Sequence, residues 1–485
     1  MSTEIANPWH PVSTPVVGLR VEPSPGVVAA GRAPRWLPGV AQILTRSQAV
    51  AMGLLRPRQQ VFVLALVACL LGLIVPTEIA YEGEIWVSRR YFGIPHHVGI
   101  TIAVVLLSLV IDFRYLAGLF MRPAVWLYLA CLLMVVGVGF AKHSGNLFVV
   151  FADLYVIRWF FVGFLLMRLA IVSGNLRQYL LCAAVIILIT AVGIDARNTG
   201  GRAIDTGLKR VSSNDLWPVM NLGTIMLGLL ATVTWPQGLF SVLASSASLG
   251  LIILLGGIRT STRSLFISQT LCLLLCLFAL SRDPRMAGRV GSLRRVAVAA
   301  VLLGAATAIY MVATGRILGE LTQLGSRFAV EIGTRKDTVG ARFREASALL
   351  ASLSSEEWFT GMGAGGMFFS PLGYWASIPH IGVLGWLQKG GVVVLMIALW
   401  TLYIRPAIGF FVATASPRQF GAIPPPIHVV GPPLLAWGAL TFMSGGLDIG
   451  SSLGLGGLAS LWMQLADDDR RWTAGLRWEL TSSGS

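Results

Sequence analysis

The chain has 485 residues, of which 55% are hydrophobic and only 12% charged, and its mean hydropathy is +0.74. These values exclude a soluble domain built around one core and point to a polytopic membrane protein. The net charge of +15 suggests nucleic acid only until the arginines are placed: most flank apolar runs, where basic residues orient spans and meet anionic lipid, and no interleaving of basic and aromatic residues supports RNA or DNA as a partner.

Residues 1–60 are rich in Pro, Gly, Ala and Val, carry scattered arginines and contain no long apolar run, so a disordered cytoplasmic tail is expected there. A cleaved signal peptide is not expected, because the first hydrophobic run begins too far into the chain. Apolar runs then predict about twelve helices, at 61–76, 98–111, 124–140, 147–172, 179–194, 216–235, 239–257, 265–280, 296–315, 380–404, 430–445 and 453–465. The expected organisation is an all-α polytopic membrane protein: nine spans over 61–315, a loop with an amphipathic helix over 316–379, three spans over 380–466, and a cytoplasmic tail over 467–485. Arg114, Arg122, Arg168, Arg177, the run from Arg282 to Arg295, Arg405, Arg418, Arg470, Arg471 and Arg477 then all fall on the side of the first tail, which the positive-inside rule makes cytoplasmic with both termini inside.

Three outward connections remain, at 195–215, 258–264 and 316–379, and two of them break the charge rule. The first carries Arg197, Arg202, Lys209 and Arg210; the second, GIRTSTR, carries Arg259 and Arg263 with no acid. An anionic ligand at the outer membrane surface is the simplest explanation. In the third, Phe343, Ala346, Leu350 and Leu353 recur at helical spacing, which predicts an amphipathic helix over 340–353 lying on the membrane with Arg342 and Glu345 on its wetter side and Arg344 as the alternative inward-facing cation. Pro379 suits the first turn of a helix, so His380 is expected at a helix start, where the dipole field favours a neutral imidazole able to act as a general base.

Arginine binds phosphate oxygens in pairs and stays charged when desolvated, so the arginines suit a leaving pyrophosphate and His380 suits a hydroxyl nucleophile. Neither ATP nor a nucleotide sugar is expected outside the cell; a sugar chain on a polyprenyl pyrophosphate is an activated substrate that meets the need.

Four segments carry a resemblance: KRVSSNDLWPVMN from Lys209, RTSTRSLF from Arg259, GARFREA with the later FTGMGAGG, and PHIGVLGWLQKGG from Pro379. In this order around one long loop they resemble the bacterial O-antigen ligase and O-antigen polymerase superfamily, membrane glycosyltransferases that move glycans from undecaprenyl pyrophosphate. The chain departs from the family pattern at Ile381, where a polar residue is common, and at Lys389, where an acid is frequent. The resemblance implies a GT-C-like fold, an inverting and metal-independent transferase without a cofactor, Arg210, Arg263 and Arg342 holding pyrophosphate, and His380 as base or acceptor-positioning group. Arg202, Lys209, Arg259 and Arg344 are accessory candidates. It further implies a bacterial inner-membrane location with the active site outward, a polyprenyl-pyrophosphate glycan and membrane lipid as ligands, and other polysaccharide assembly proteins as partners, in exopolysaccharide or O-antigen synthesis. Transfer to a lipid A core is the alternative within the family.

The remaining signals have blander explanations. His10, His96, His97, His143 and His428 lie in the tail, at span edges or in a short loop. Arg158 is mid-span and five residues from Asp153, off the best spacing for a pair, so either a structural bond to another span or a functional role is expected. Lys389 and Asp448 are expected to be structural, Asp467–Asp469 to be a solvated helix end, GMGAGG to be a flexible bend, and the glycines of 445–457 to allow close helix packing. Cys272 and Cys276 share a helix face without histidine or carboxylate neighbours, which implies neither disulfide nor metal. From a different class, a transporter or flippase of lipid-linked glycan would also use external arginines, but it should carry its polar residues near the bilayer midplane in repeated halves, and no repeat is visible.

Overall fold

The computed structural model describes residues 57–79, 90–91, 94–200, 213–234, 239–253, 263–281, 338–371, 373–377, 379–415, 426–443 and 448–482. The chain is an all-α polytopic membrane protein. Its helices are α1 (Pro57–Ile74), α2 (His96–Leu119), α3 (Pro123–Lys142), α4 (Leu147–Val172), α5 (Leu176–Gly200), α6 (Ser213–Thr234), α7 (Leu239–Ile252), α8 (Arg263–Ser281), α9 (Thr338–Ser352), α10 (Glu357–Thr360), α11 (Leu384–Ala398), α12 (Arg405–Ala415), α13 (Pro426–Met443) and α14 (Ile449–Ser482). Among the described residues nine helices are long and apolar enough to cross a membrane; α11 and α12 join through a π-helical stretch into one of these, Leu384–Thr414. Phe113, Trp126, Leu133, Phe148 and Phe161 are exposed on α2 to α4, the surface that lipid would cover. The expected tail over 1–60 falls largely, and the expected span at 296–315 wholly, outside the described residues.

α6 is the centre of the bundle, buried along nearly its whole length. α8 runs parallel to it: the Cys272 thiol donates to the Thr224 carbonyl (3.7 Å) and the Cys276 thiol to the Gly228 carbonyl (3.8 Å), a constant separation of 48 residues. That register sets the start of α8 level with the first turn of α6. α13 runs the other way, with Thr232 Oγ1 donating to the Val429 carbonyl (3.0 Å), so its last turn returns to the start of α6. α14 begins at the same level: Asn221 Nδ2 donates to Asp448 Oδ2 (2.5 Å), and Gly450 lies against the Pro218 carbonyl. α4 follows α14 in parallel, with Gly163 against Leu453 and Gly456 against Phe160 so close that a Cβ on either would overlap backbone, as the expected glycine packing requires. One end of the bundle thus collects the starts of α6, α8 and α14 and the end of α13.

A smaller core sits at that end. Leu349 of α9, Leu353 just after it, Met362, Phe368, Ala376 and Leu387 pack together. Phe368 and Ala376 belong to a hairpin of β3 (Phe368–Ser370) and β4 (Tyr374–Ala376), paired antiparallel with Phe369 opposite Trp375; a second short pair, β1 (Arg90–Tyr91) and β2 (Ile94–Pro95), precedes α2.

Several expectations are corrected. α2 runs well past the expected 98–111 and kinks at Asp112 (φ −136°, ψ 31°). The GMGAGG segment is not a flexible bend but a buried wedge. Met362 and Gly363 N–H groups donate to the Gln388 and Lys389 carbonyls, Ala364 N–H to the Val135 carbonyl in α3, and Gly365 N–H to Asp153 in α4. Gly363 has φ +78°, and a Cβ there would overlap the backbone at Gly139. Asp467 is not a solvated end either, since Arg122 Nη2 meets its carboxylate at 2.6 Å. α9 forms close to where expected, but its buried face is Glu345, Ala346 and Leu349, continued by Leu353 just past its end, and Phe343 is 63% exposed. Spacing of apolar residues could not show this, because partners elsewhere in the chain draw the polar side inward.

Candidate functional site

His380 lies in the turn before α11, whose first helical residue is Leu384. The expected helix start at Pro379 is therefore displaced, and the α11 dipole does not hold the ring. The turn is closed by short-range bonds from Leu384 N–H to the Ile381 carbonyl and from Gly385 N–H to the Gly382 carbonyl, and tied to α13 by Val383 N–H donating to the Thr441 carbonyl.

The ring is held by a carboxylate. Glu345 Oε2 accepts the His380 backbone N–H at 3.0 Å and lies 2.6 Å from ring Nδ1. Glu345 is 1% exposed whereas the His380 side chain is 45% exposed, so the acid lies beneath the ring and the ring faces out. The expectation that Glu345 occupies the wetter side of α9 is thus reversed. One turn earlier in α9, the half-buried Arg342 donates from Nη1 to the Met443 carbonyl, the last residue of α13, and so fastens α9 to the bundle end described above. Arg344 points to the exposed side. The structure thus selects Arg342, not Arg344, as the inward cation.

Arg263 is the first residue of α8, which puts its backbone at the end where α6 starts, but its side chain is outside the described residues. Arg202, Lys209, Arg210 and Arg259 also lie outside them; in sequence Arg210 is three residues before Ser213, the first residue of α6. Among the described residues, then, the structure brings together His380, Glu345 and Arg342, and it brings the helix starts flanked by Arg210 and Arg263 to the same end.

Other charged groups fall into structural pairs. Lys389 Nζ bridges Asp153 (2.6 Å) and the Gly366 carbonyl (2.8 Å), locking the glycine wedge to α4. Arg158 stacks over Tyr155 (4.5 Å) and Trp159 (5.0 Å). Asp448 caps α14 by accepting the Ser451 N–H (2.8 Å). Glu357 accepts from Lys142 (2.9 Å) and from Ser354 N–H (3.0 Å); desolvation would raise its carboxyl, but these bonds outweigh it and hold the pKa below the usual value. Among the described residues no three His, Cys, Asp or Glu side chains converge as metal ligands.

Sequence reasoning missed Glu345. The available signal was its position three residues after Arg342 on a short helix otherwise buried through Ala346 and Leu349, but its partner is 35 residues away and no periodicity encodes that distance. No protein-family model, no curated protein and no solved structure matches this chain.

Proposed function

We propose that the protein is a glycosyltransferase of about twelve spans, with both termini cytoplasmic and the loop over 316–379 on the outer face of a bacterial inner membrane. It polymerises glycan units carried on polyprenyl pyrophosphate, in exopolysaccharide or O-antigen synthesis. The observation that carries this reading is the exposed, carboxylate-backed imidazole of His380 at the same end of the bundle as the starts of α6 and α8, the helices that Arg210 and Arg263 adjoin. A base that reaches solvent beside cationic helix starts suits an acceptor hydroxyl and an anionic leaving group meeting at a membrane surface.

In the proposed step the acceptor hydroxyl oxygen attacks the anomeric carbon of the donor glycan, from the side opposite the pyrophosphate. A new C–O bond forms while the bond to the phosphate oxygen breaks, and polyprenyl pyrophosphate leaves with that electron pair. The hydroxyl proton passes to His380. Arg210, Arg263 and Arg342 hold the developing negative charge, with Arg202, Lys209, Arg259 and Arg344 as accessory cations. No metal or cofactor enters this scheme.

The test is reconstitution of the purified protein with a radiolabelled polyprenyl-pyrophosphate oligosaccharide, with and without acceptor. Lengthened lipid-linked ladders are the expected result. Label on a lipid A core would mean a ligase, and unmodified donor crossing the bilayer would replace the proposal with a flippase.

A further inference from the structure

We infer that Glu345 is the positioning residue of His380, holding the ring in the tautomer with the proton on Nδ1 so that Nε2 is the atom that takes the acceptor's proton. This rests on the transferase reading for the identity of the proton donor, though not for the tautomer itself. With Glu345 taken as a carboxylate, which only accepts hydrogen bonds, the 2.6 Å contact between its Oε2 and Nδ1 puts the hydrogen on Nδ1 and leaves the Nε2 lone pair on the other side of the ring.

The competing explanation is a staple that merely joins α9 to the turn. Three observations count against it. The backbone N–H of His380 already joins Glu345 Oε2 at 3.0 Å, which would suffice for a staple, and the ring is added to the same oxygen. The second oxygen, Glu345 Oε1, is buried and has no hydrogen-bond partner among the described residues. The Glu345 side chain is 1% exposed, and a buried anion is costly where a neutral amide of the same shape could make both observed bonds. A full negative charge at this depth becomes useful when the ring turns cationic, which happens when Nε2 accepts a proton during turnover; the carboxylate then neutralises it.

The experiment compares Glu345→Gln, Glu345→Asp and His380→Ala with the wild type in three measurements: steady-state transfer, thermal midpoint, and 15N NMR of histidine-labelled protein in micelles. His380→Ala identifies the His380 resonances. In the wild type the ring should show a protonated Nδ1 and an unprotonated Nε2. Glu345→Gln should lower kcat on the order of 10²- to 10³-fold with donor KM within about threefold and an unchanged thermal midpoint, and Glu345→Asp should recover at least about tenfold of that loss. A wild-type ring protonated on Nε2 overturns the inference without recourse to any variant. So does a Glu345→Gln protein of normal kcat. Absence of transfer by the wild type would instead sink the glycosyltransferase reading, and the NMR measurement would still decide the tautomer.

Discussion

Two buried charged side chains, Arg168 toward one end of the bundle and Glu345 at the other, are held in opposite ways. At the end away from His380, Arg168 of α4 binds both Asp112 at the α2 kink and Gln464 of α14, lies 3.4 Å over the Tyr115 ring, and is 9% exposed; beside it Arg122 pairs with Asp467. Arg168 and Arg122 each meet a carboxylate from another helix. At the other end Glu345 is also buried, but among the described residues its one side-chain partner is a ring that stands open to solvent and one of its oxygens has none. The first arrangement joins helices; the second leaves an acid beneath an imidazole that faces out. The contrast teaches that partner saturation, more than residue type or burial, sets Glu345 apart from Arg168.

Four substitutions probe that contrast. The largest effect on stability should come from Arg168→Ala, which strands Asp112 and Gln464 in the bundle and should cost about 3–5 kcal/mol, seen as a lower thermal midpoint in detergent, while the protein that remains folded keeps its turnover. His380→Ala should do the reverse, lowering transfer on the order of 10²- to 10⁴-fold with the midpoint unchanged. If His380→Ala unfolds the protein, or Arg168→Ala abolishes transfer in folded protein, the division between the two ends fails.

Gly363→Ala tests the wedge that fixes the site end. With φ +78° and the Gly139 backbone where a Cβ would go, it should destabilise by about 2 kcal/mol or more, again read as a thermal midpoint. A neutral result would mean that the segment gives way readily and that the turn bearing His380 is less rigidly held than the hydrogen bonds imply. The smallest effect belongs to Glu357, whose folded-state pKa lies below its unfolded value. Its bond to Lys142 therefore contributes above the ordinary carboxylate range, about pH 4–5, and is lost as pH falls through the lowered value. Glu357→Gln should remove that acid-side loss, no more than a few tenths of a kcal/mol for a pair screened by water and salt, measured as stability against pH at low ionic strength.

Much of the helical framework was legible in advance, because apolar runs flanked by arginines leave few alternatives in lipid. α4 and α9 formed close to where run length and periodicity put them. The site was legible only in part. His380 stood out as a histidine between a polar loop and a span, and Arg342 as a cation on an amphipathic helix, but the support of each was misjudged. His380 was assigned to a helix dipole and rests on a carboxylate; Glu345 was assigned to water and lies in the core. Asp153 was weighed against Arg158 five residues on, and its partner is Lys389, in a helix far along the chain.

Composition and run length alone establish an all-helical membrane protein, since hydrocarbon admits a spanning backbone only when its hydrogen bonds are made within the segment or around a closed barrel. That rule is local, so it can be read from twenty residues at a time. Which polar groups meet one another is not local: Glu345 meets His380 across 35 residues and Gly365 meets Asp153 across 212. Such meetings depend on how helices lie side by side, and the folded chain alone supplies that.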